Sequence, residues 1–285
     1  MLFANGCKLQ DPLPDEACLT ASLLVSLPNL RFLDVFYHGV VLIPPVVNAT
    51  CQFTSITHLS YRSIVKDPIL FAAFLGSLPA LEHMMLDNSI GSIPLVPTAL
   101  HSLRQLQYAS FDFAASVLAD RQVPQIGLRL SHSQVAALLS YGATDSSLRG
   151  KLRCVRSLNI TSSDTHPVTM IKCAALFQEI KHLKIYSDHW VKIGDVVAES
   201  AIFLRQTKVE YLQVDLVCDD NVEFVESLFS LVPTLKVFDL ERISYEAGDG
   251  YRRFRRDKLT DGYEMLDPQP MPWWSQWWMD SKQHL

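Results

Sequence analysis

The sequence predicts an α/β solenoid, built from strand–helix units that stack in chain order. Three observations lead to this fold class: a short apolar motif recurs along the chain, residues within each copy alternate between apolar and polar, and helix signals lie between the copies. A strand–helix unit of this size cannot bury its own apolar face, so neighbouring units must share one core.

The recurring motif has the spacing L-x-x-L-x-L, and its clearest copy runs from Leu30 to Val35. The nine copies begin at Leu30, Ile56, Leu81, Leu103, Val123, Val155, Ile180, Val209 and Leu235. Successive copies begin 20 to 29 residues apart, except for one step of 32 residues after Val123. This period is typical of a leucine-rich repeat. We therefore expect a leucine-rich-repeat solenoid, or horseshoe, with a parallel concave sheet and helices on the convex side.

The end of each copy has the period-2 pattern of a strand with one buried face. In the first copy, Leu33 and Val35 would point into the core, while Phe32 and Asp34 would point outward. A doubly wound α/β domain also alternates strands with helices, but its strands are near-continuous apolar runs. The alternation favours the solenoid.

Helix signals are clearest at Asp67, a suitable N-cap, followed by Pro68 at the first helical position and Gly76 at the end. Further helices are predicted at 133–141, 170–177 and 222–229. The polar stretch 145–151 would be a loop that accounts for the 32-residue step.

The chain divides into three predicted segments. Residues 1–29 form an N-terminal helix and capping segment, 30–242 form the solenoid, and 243–285 form a hairpin and a tryptophan-rich capping tail. The hairpin strands are predicted at 251–259 and 263–266. The four tail tryptophans would cover the last repeat; the alternative is a stacking platform for carbohydrate or peptide.

Charge and composition argue against several partners. The chain has 285 residues and a net charge of −5, which disfavours general attraction to nucleic acid. We interpret the basic run 252–256 as an edge strand protected by charge, with a nucleic-acid or nuclear-import patch as the alternative. No secretory signal or apolar run of membrane-spanning length is visible, so we expect no membrane contact and a cytoplasmic location, with the nucleus as the alternative.

The six cysteines are dispersed without a C-x-x-C pair, which predicts free thiols rather than a zinc module or disulfide scaffold. The chain also lacks G-x-S-x-G, a glycine-rich phosphate loop and H-E-x-x-H. Asp188 and His189 are adjacent strand residues that point in opposite directions, so they do not form a catalytic pair. We expect no enzymatic activity, no cofactor and no metal.

The outward side chains instead predict a protein-binding surface. Reading equivalent positions of successive strands makes His58 and His83 cross-strand neighbours, which lack the third ligand that a metal site needs. Tyr186 and Tyr211 would serve as aromatic anchors within a polar rim. The complete candidate site on the concave face is His58, His83, His182, Lys184, Tyr186, Tyr211, Gln213 and Asp215.

The stretch S-L-P-N-L-R-F-L-D-V at 26–35, echoed at 77–81 and 231–235, resembles the repeat of fungal F-box and leucine-rich-repeat proteins. The resemblance implies the substrate-recognition part of a ubiquitin ligase receptor, with ligase subunits as partners if an F-box lies upstream. The run Leu13-Pro14-Asp15-Glu16 looks like the opening of an F-box. However, only 14 residues separate Glu16 from Leu30, too few for the three helices required, so we expect no F-box in this chain.

Two other functions stay open. The first is a stand-alone leucine-rich-repeat adaptor or inhibitor that uses the same face. The second, from a different class, is a hydrolase-like enzyme, which the missing catalytic motifs disfavour.

Overall fold

The structure is a computed structural model that describes residues 27–36, 53–62, 65, 67–86, 90–144, 150–218, 223–242, 250–256 and 263–266. Its strands are β1 (Phe32–Phe36), β2 (His58–Arg62), β3 (His83–Leu86), β4 (Gln105–Ala109), β5 (Gln125–Arg129), β6 (Ser157–Ser162), β7 (His182–Val191), β8 (Tyr211–Cys218), β9 (Val237–Arg242), β10 (Gly250–Arg256) and β11 (Tyr263–Leu266). Its helices are α1 (Pro68–Gly76), α2 (Phe111–Leu118), α3 (His132–Thr144), α4 (Pro167–Ala174), α5 (Ile193–Leu204) and α6 (Phe224–Leu231).

All eleven strands belong to one open sheet whose order is the chain order. Strands β1 to β9 run parallel, and β10 and β11 are antiparallel additions at the end. The molecule is therefore a mixed α/β protein in which strands are neighbours in space because they are neighbours in sequence.

One hydrophobic core lies between the sheet and the helices. It contains the inward residues of each repeat, such as Leu59, Leu183 and Leu212, each at most 2% exposed. Helix residues such as Phe71 and Val225 fill the same core at 0% exposure. Burying a side chain of this size contributes roughly 1.5–3 kcal/mol, so the stack is held mainly by this shared layer.

Strand β4 departs from the predicted pattern at Tyr108. As the sixth residue of the copy that begins at Leu103, Tyr108 is predicted to point inward and Ala109 outward, but Ala109 is 0% exposed in the core and Tyr108 is only half-buried. Tyr108 has φ of 56°, and the register shifts so that Ala109 pairs with Leu128 instead of Arg129. This β-bulge inserts one residue, and every position after it changes face.

Helix α1 begins as predicted, because the Asp67 carboxylate accepts hydrogen bonds from the amides of Ile69 and Leu70. Gly76 is the last helical residue, and Ser77 follows as the C-cap in right-handed conformation. The prediction for α4 was wrong by three residues: Pro167, not Met170, opens the helix, and His166 occupies the N-cap without a side-chain cap bond. The predicted start took Thr169 as the N-cap, but Pro167 is better suited to the first helical position because its φ is already fixed near the helical value.

The other predicted elements differ mainly in their ends. Helix α3 extends one residue earlier and three later than 133–141, and α6 begins at Phe224 rather than 222. The predicted hairpin is present as β10 and β11, with β10 ending at Arg256 instead of 259. The predicted loop 145–151 lies partly outside the described residues, and 150–152 form a helical turn. Almost all of the predicted segment 1–29 and the tail after 266 also lie outside them.

Candidate functional site

The sheet has one face opposite the helices, which we call the open face; it corresponds to the predicted concave face. The register confirms the first outward column of side chains across nine strands. It consists of Phe32, His58, His83, Gln105, Gln125, Ser157, His182, Tyr211 and Val237. The candidate residues thus lie on one face, but in two groups, on β2–β3 and on β7–β8.

The first group is an aromatic stack. The ring of Phe32 stacks on His58 at 4.3 Å between centroids, and His58 stacks on His83 at 4.4 Å. Burial, together with the neighbouring His83, lowers the pKa of His58 to about 4, against a weaker opposing effect of Glu82. The ring is consequently neutral near pH 7, which allows it to stack closely on another imidazole.

Polar neighbours hold this stack in place. His58 Nδ1 lies 2.9 Å from the Thr57 hydroxyl, and His83 Nδ1 lies 3.0 Å from the side-chain oxygen of Gln105. Phe32, at the end of the stack, is 55% exposed. The stack therefore presents one exposed aromatic face on β1 and two imidazoles in fixed positions.

The second group contains a nearly buried ion pair. Lys184 Nζ lies 2.5 Å from Asp215 Oδ2, with side-chain exposures of 17% and 6%. The Gln213 amide donates to Asp215 Oδ1 at 2.8 Å, and Gln213 itself is 1% exposed. We expected Gln213 and Asp215 to belong to the polar rim around the two tyrosines, but both are buried: Asp215 binds Lys184, and Gln213 binds Asp215.

A second buried carboxylate, Asp239 on the neighbouring strand β9, forms a polar network of its own. Its side chain is fully buried and accepts hydrogen bonds from the Tyr211 hydroxyl and from Arg253 Nε, the latter at 2.8 Å. Arg253 Nη2 lies 2.7 Å from the second carboxylate oxygen. This bidentate pair links the hairpin to the parallel sheet.

Sequence reasoning missed the role of Arg253. We interpreted the run 252–256 as a charged edge strand, whereas Arg253 faces the buried Asp239 and Phe254 enters the core. The signal was present, because alternating faces of a strand place 253 and 254 on opposite sides. What the sequence lacked was the pairing of β10 with β9, which brings Arg253 opposite Asp239.

The remaining candidates sit above this network. His182 packs at 6.0 Å from Tyr211, and burial lowers the pKa of His182, opposed by Glu210. The Tyr186 hydroxyl donates to Asp188 Oδ1 at 2.7 Å. These three rings, each half-buried, form the accessible layer of the second group.

Strand β7 is the longest of the described strands, because a bulge between Ser187 and Trp190 adds two residues without partners on β8 near the C-terminal edge of the strand. A pocket of about 310 Å³ opens at this edge. It is lined by His166, Trp190, Val191, Lys192, Asp195, Val196 and Glu199. This pocket was not predicted, because Trp190 gives no periodic signal by itself.

Among the described residues, no group of three or more His, Cys, Asp or Glu side chains is arranged to hold a metal ion. Cys154 and Cys173 are free thiols, as predicted. The predictions for Cys7, Cys18 and Cys51 lie outside the described residues, as does the side chain of Cys218. In the described part of the chain, no helix combines the length and apolar character needed to cross a bilayer.

Comparisons with protein-family models and with curated proteins give no match for this chain. The resemblance to F-box and leucine-rich-repeat proteins therefore stays a prediction from the repeat motif.

Proposed function

We propose that this protein is a leucine-rich-repeat solenoid whose open face is concave and binds a protein partner without catalysing a reaction. Its repeat period and chain-ordered parallel sheet support the first part. The resemblance of its repeats suggests the more specific role of the recognition part of a ubiquitin ligase receptor. A stand-alone adaptor or inhibitor would use the same surface.

The observation that carries the proposal is the two-layer arrangement on β7–β8. Three half-buried rings, His182, Tyr186 and Tyr211, lie over a polar layer in which Lys184 is bound to Asp215. Rings held in advance lose little conformational freedom on binding, and tyrosine is common among residues that dominate binding energy. The arrangement is suited to recognition, since its charged groups bind each other while the three rings, held by their own contacts, stay partly exposed.

The test uses substitutions that change the rings and leave the buried ion pairs intact. Lys184→Glu would place a second carboxylate beside Asp215, and Tyr211→Ala would remove a donor from Asp239. Tyr186→Ala and His182→Ala avoid both problems. Ile202→Ala is the matched control, because Ile202 is 62% exposed on α5 and belongs to the helical side.

Tagged versions of the full chain are used to capture partners from cell extract, with quantitative mass spectrometry as the measurement. We expect one set of proteins to bind the parent and Ile202→Ala and to be depleted with both ring variants. A true anchor contributes about 2 kcal/mol or more, which corresponds to a depletion of about 30-fold. If folded ring variants retain every partner that the control retains, the open face is not the binding surface.

The same experiment separates the two binding roles. Ubiquitin ligase subunits among proteins captured independently of the ring variants would favour the receptor role. Capture of partners with no ligase subunit, in repeated experiments with intact ligase in the extract, would favour the stand-alone adaptor.

A further inference from the structure

An exposed tryptophan, Trp190, lies at the edge of the open face, beside a bulge in β7 and a pocket. Between Ser187, paired with Leu216, and Trp190, paired with Val217, strand β7 has two additional residues. Trp190 follows this bulge within the strand, and 63% of the residue is exposed. Tryptophan is enriched among the residues that contribute most of the binding energy at the centres of protein contacts.

The pocket beside Trp190 carries more negative than positive side chains. Asp195 and Glu199 lie one turn apart on α5 and line it together with Lys192. In the described part of the chain, the side chains of Asp195 and Glu199 form no hydrogen bond or ion pair. Two carboxylates against one ammonium leave the pocket with an excess of negative charge beside an indole.

We propose that this pocket receives an arginine or lysine side chain from the protein partner, an inference that rests on the proposed binding function. A cation over the indole face is attracted by the ring, and the carboxylates on α5 can bind its N–H groups. An acidic side chain would be repelled. An apolar side chain would desolvate the two carboxylates without giving them a donor. The volume of about 310 Å³ fits one long side chain rather than a folded element.

The experiment is an NMR titration of the full chain, ¹⁵N-labelled, with a blocked glycine–serine peptide that carries two central arginines. The Trp190 indole N–H signal is identified by its loss in Trp190→Phe. We expect this signal to shift saturably with the arginine peptide and to stay in place with peptides carrying norleucine or glutamate instead. In Trp190→Ala, followed through the backbone amides of 193–199, binding should weaken about tenfold.

Net charge needs its own control, because an acidic protein attracts any basic peptide. The double variant Asp195→Asn/Glu199→Gln should weaken binding at least as much as Trp190→Ala. The double variant Asp112→Asn/Glu226→Gln makes the same change of charge on the exposed surfaces of α2 and α6, and should leave binding unchanged. An equal effect of both double variants, or an indole signal that does not move, overturns the proposal.

The two proposals can fail separately. His182→Ala should reduce capture of the partner but leave the arginine peptide bound, since His182 lies at the opposite end of β7 from Trp190. Loss of the peptide shift with intact ring-dependent capture rejects the pocket only. A peptide that binds the pocket while capture is insensitive to the ring variants rejects the open face only.

Discussion

His58 links pH to stability in this protein. His58 has a pKa of about 4 in the folded chain, compared with 6.5 for the unperturbed side chain, chiefly because it is partly buried. Below pH 6.5 the unfolded chain binds a proton that the folded chain does not. The free energy of unfolding should therefore fall as the pH drops from about 6.5 towards 4, and be unaffected by His58 above this window.

We expect a loss of about 1–2 kcal/mol from His58, less than the full pKa difference implies, because solvent screens a half-exposed ring. The measurement is urea denaturation at about pH 7.5 and about pH 5. His58→Phe keeps a stacked ring but cannot titrate, so it should lose this part of the pH dependence. His101→Gln removes an exposed histidine as a control; if both variants retain the parental pH dependence, His58 is not the group responsible.

Position 127 favours glycine because Gln107 lies too close to its Cα for a side chain to fit. A Cβ at this position would overlap Oε1 of Gln107 and lie 3.3 Å from its Cα, and the bulge at Tyr108 holds Gln107 against β5. We expect Gly127→Ala to destabilise the protein by about 1–2 kcal/mol, because the buried Gln107 must move. Denaturation of Gly127→Ala/Gln107→Ala should show partial recovery, and Gly91→Ala, with no atom within 4 Å, should be neutral.

At the residue scale, the sequence was sufficient to place side chains on the correct face but not to say how deeply they lie. The period-2 pattern identified His182, Lys184 and Tyr186 as outward, and the register agrees. It could not show that Gln213 and Asp215 are covered, because their depth depends on long side chains from neighbouring strands. The prediction for Ala109 was wrong for a local reason: the one residue inserted by the bulge reverses the alternation of side chains between the two faces.

The two faces of the hairpin formed by β10 and β11 make different contacts. Phe254 packs into the core at 5.9 Å from Phe238, and Arg256 donates to the carbonyls of Phe229 and Leu235. On the other face, Arg253 binds the buried Asp239. The basic run is therefore a structural part of the sheet, in which Arg253 and Arg256 bind groups within the protein.

Two arginines on β10 form a matched pair for testing this element. Arg253 is 14% exposed and bound to a buried carboxylate, whereas Arg255 and its partner Glu264 are 56% and 46% exposed. Removing one partner of a buried pair leaves an uncompensated charge, so Arg253→Ala should destabilise by about 3–5 kcal/mol. Arg255→Ala should change stability by about 0–1 kcal/mol.

Urea denaturation of the two variants measures this difference, and Arg253→Ala/Asp239→Leu should recover part of the loss by removing the orphaned carboxylate. Equal effects of the two single variants would mean that the hairpin is not tied to the sheet through Asp239.

The existence of the hairpin was predictable from its turn and alternation signals. The order β9–β10–β11 was not, since nothing in the local pattern specifies which edge a hairpin joins.

Across the whole molecule, stability depends on contacts between adjacent units. Each strand from β2 to β9 pairs with the strand that precedes it and the strand that follows it, and one core runs along the sheet. Such a stack is stabilised by the sum of its interfaces rather than by one central nucleus. Repeat period and alternation were enough to predict this arrangement, because both are short-range features of the sequence.

Cys173 can report opening of the stack. It is 0% exposed in the core, and burial raises its pKa to about 12, so almost no thiolate is present in the folded state. We expect iodoacetamide to modify Cys173 only at the rate at which the molecule opens, while the half-buried Cys154 reacts faster. Mass spectrometry of peptides during a labelling time course measures both. Equal rates for the two thiols in native buffer would contradict a closed core around Cys173.

The chain-ordered sheet also determines how the protein responds to force. Pulling β1 and β11 apart acts across the strands, along the direction of the hydrogen bonds that join them. In this geometry the bonds of a ladder open one after another instead of sharing the load, as they would if neighbouring strands were sheared past each other. The molecule would thus extend at low tension by peeling strands from its ends, and each detached unit would leave the remaining strand pairings intact.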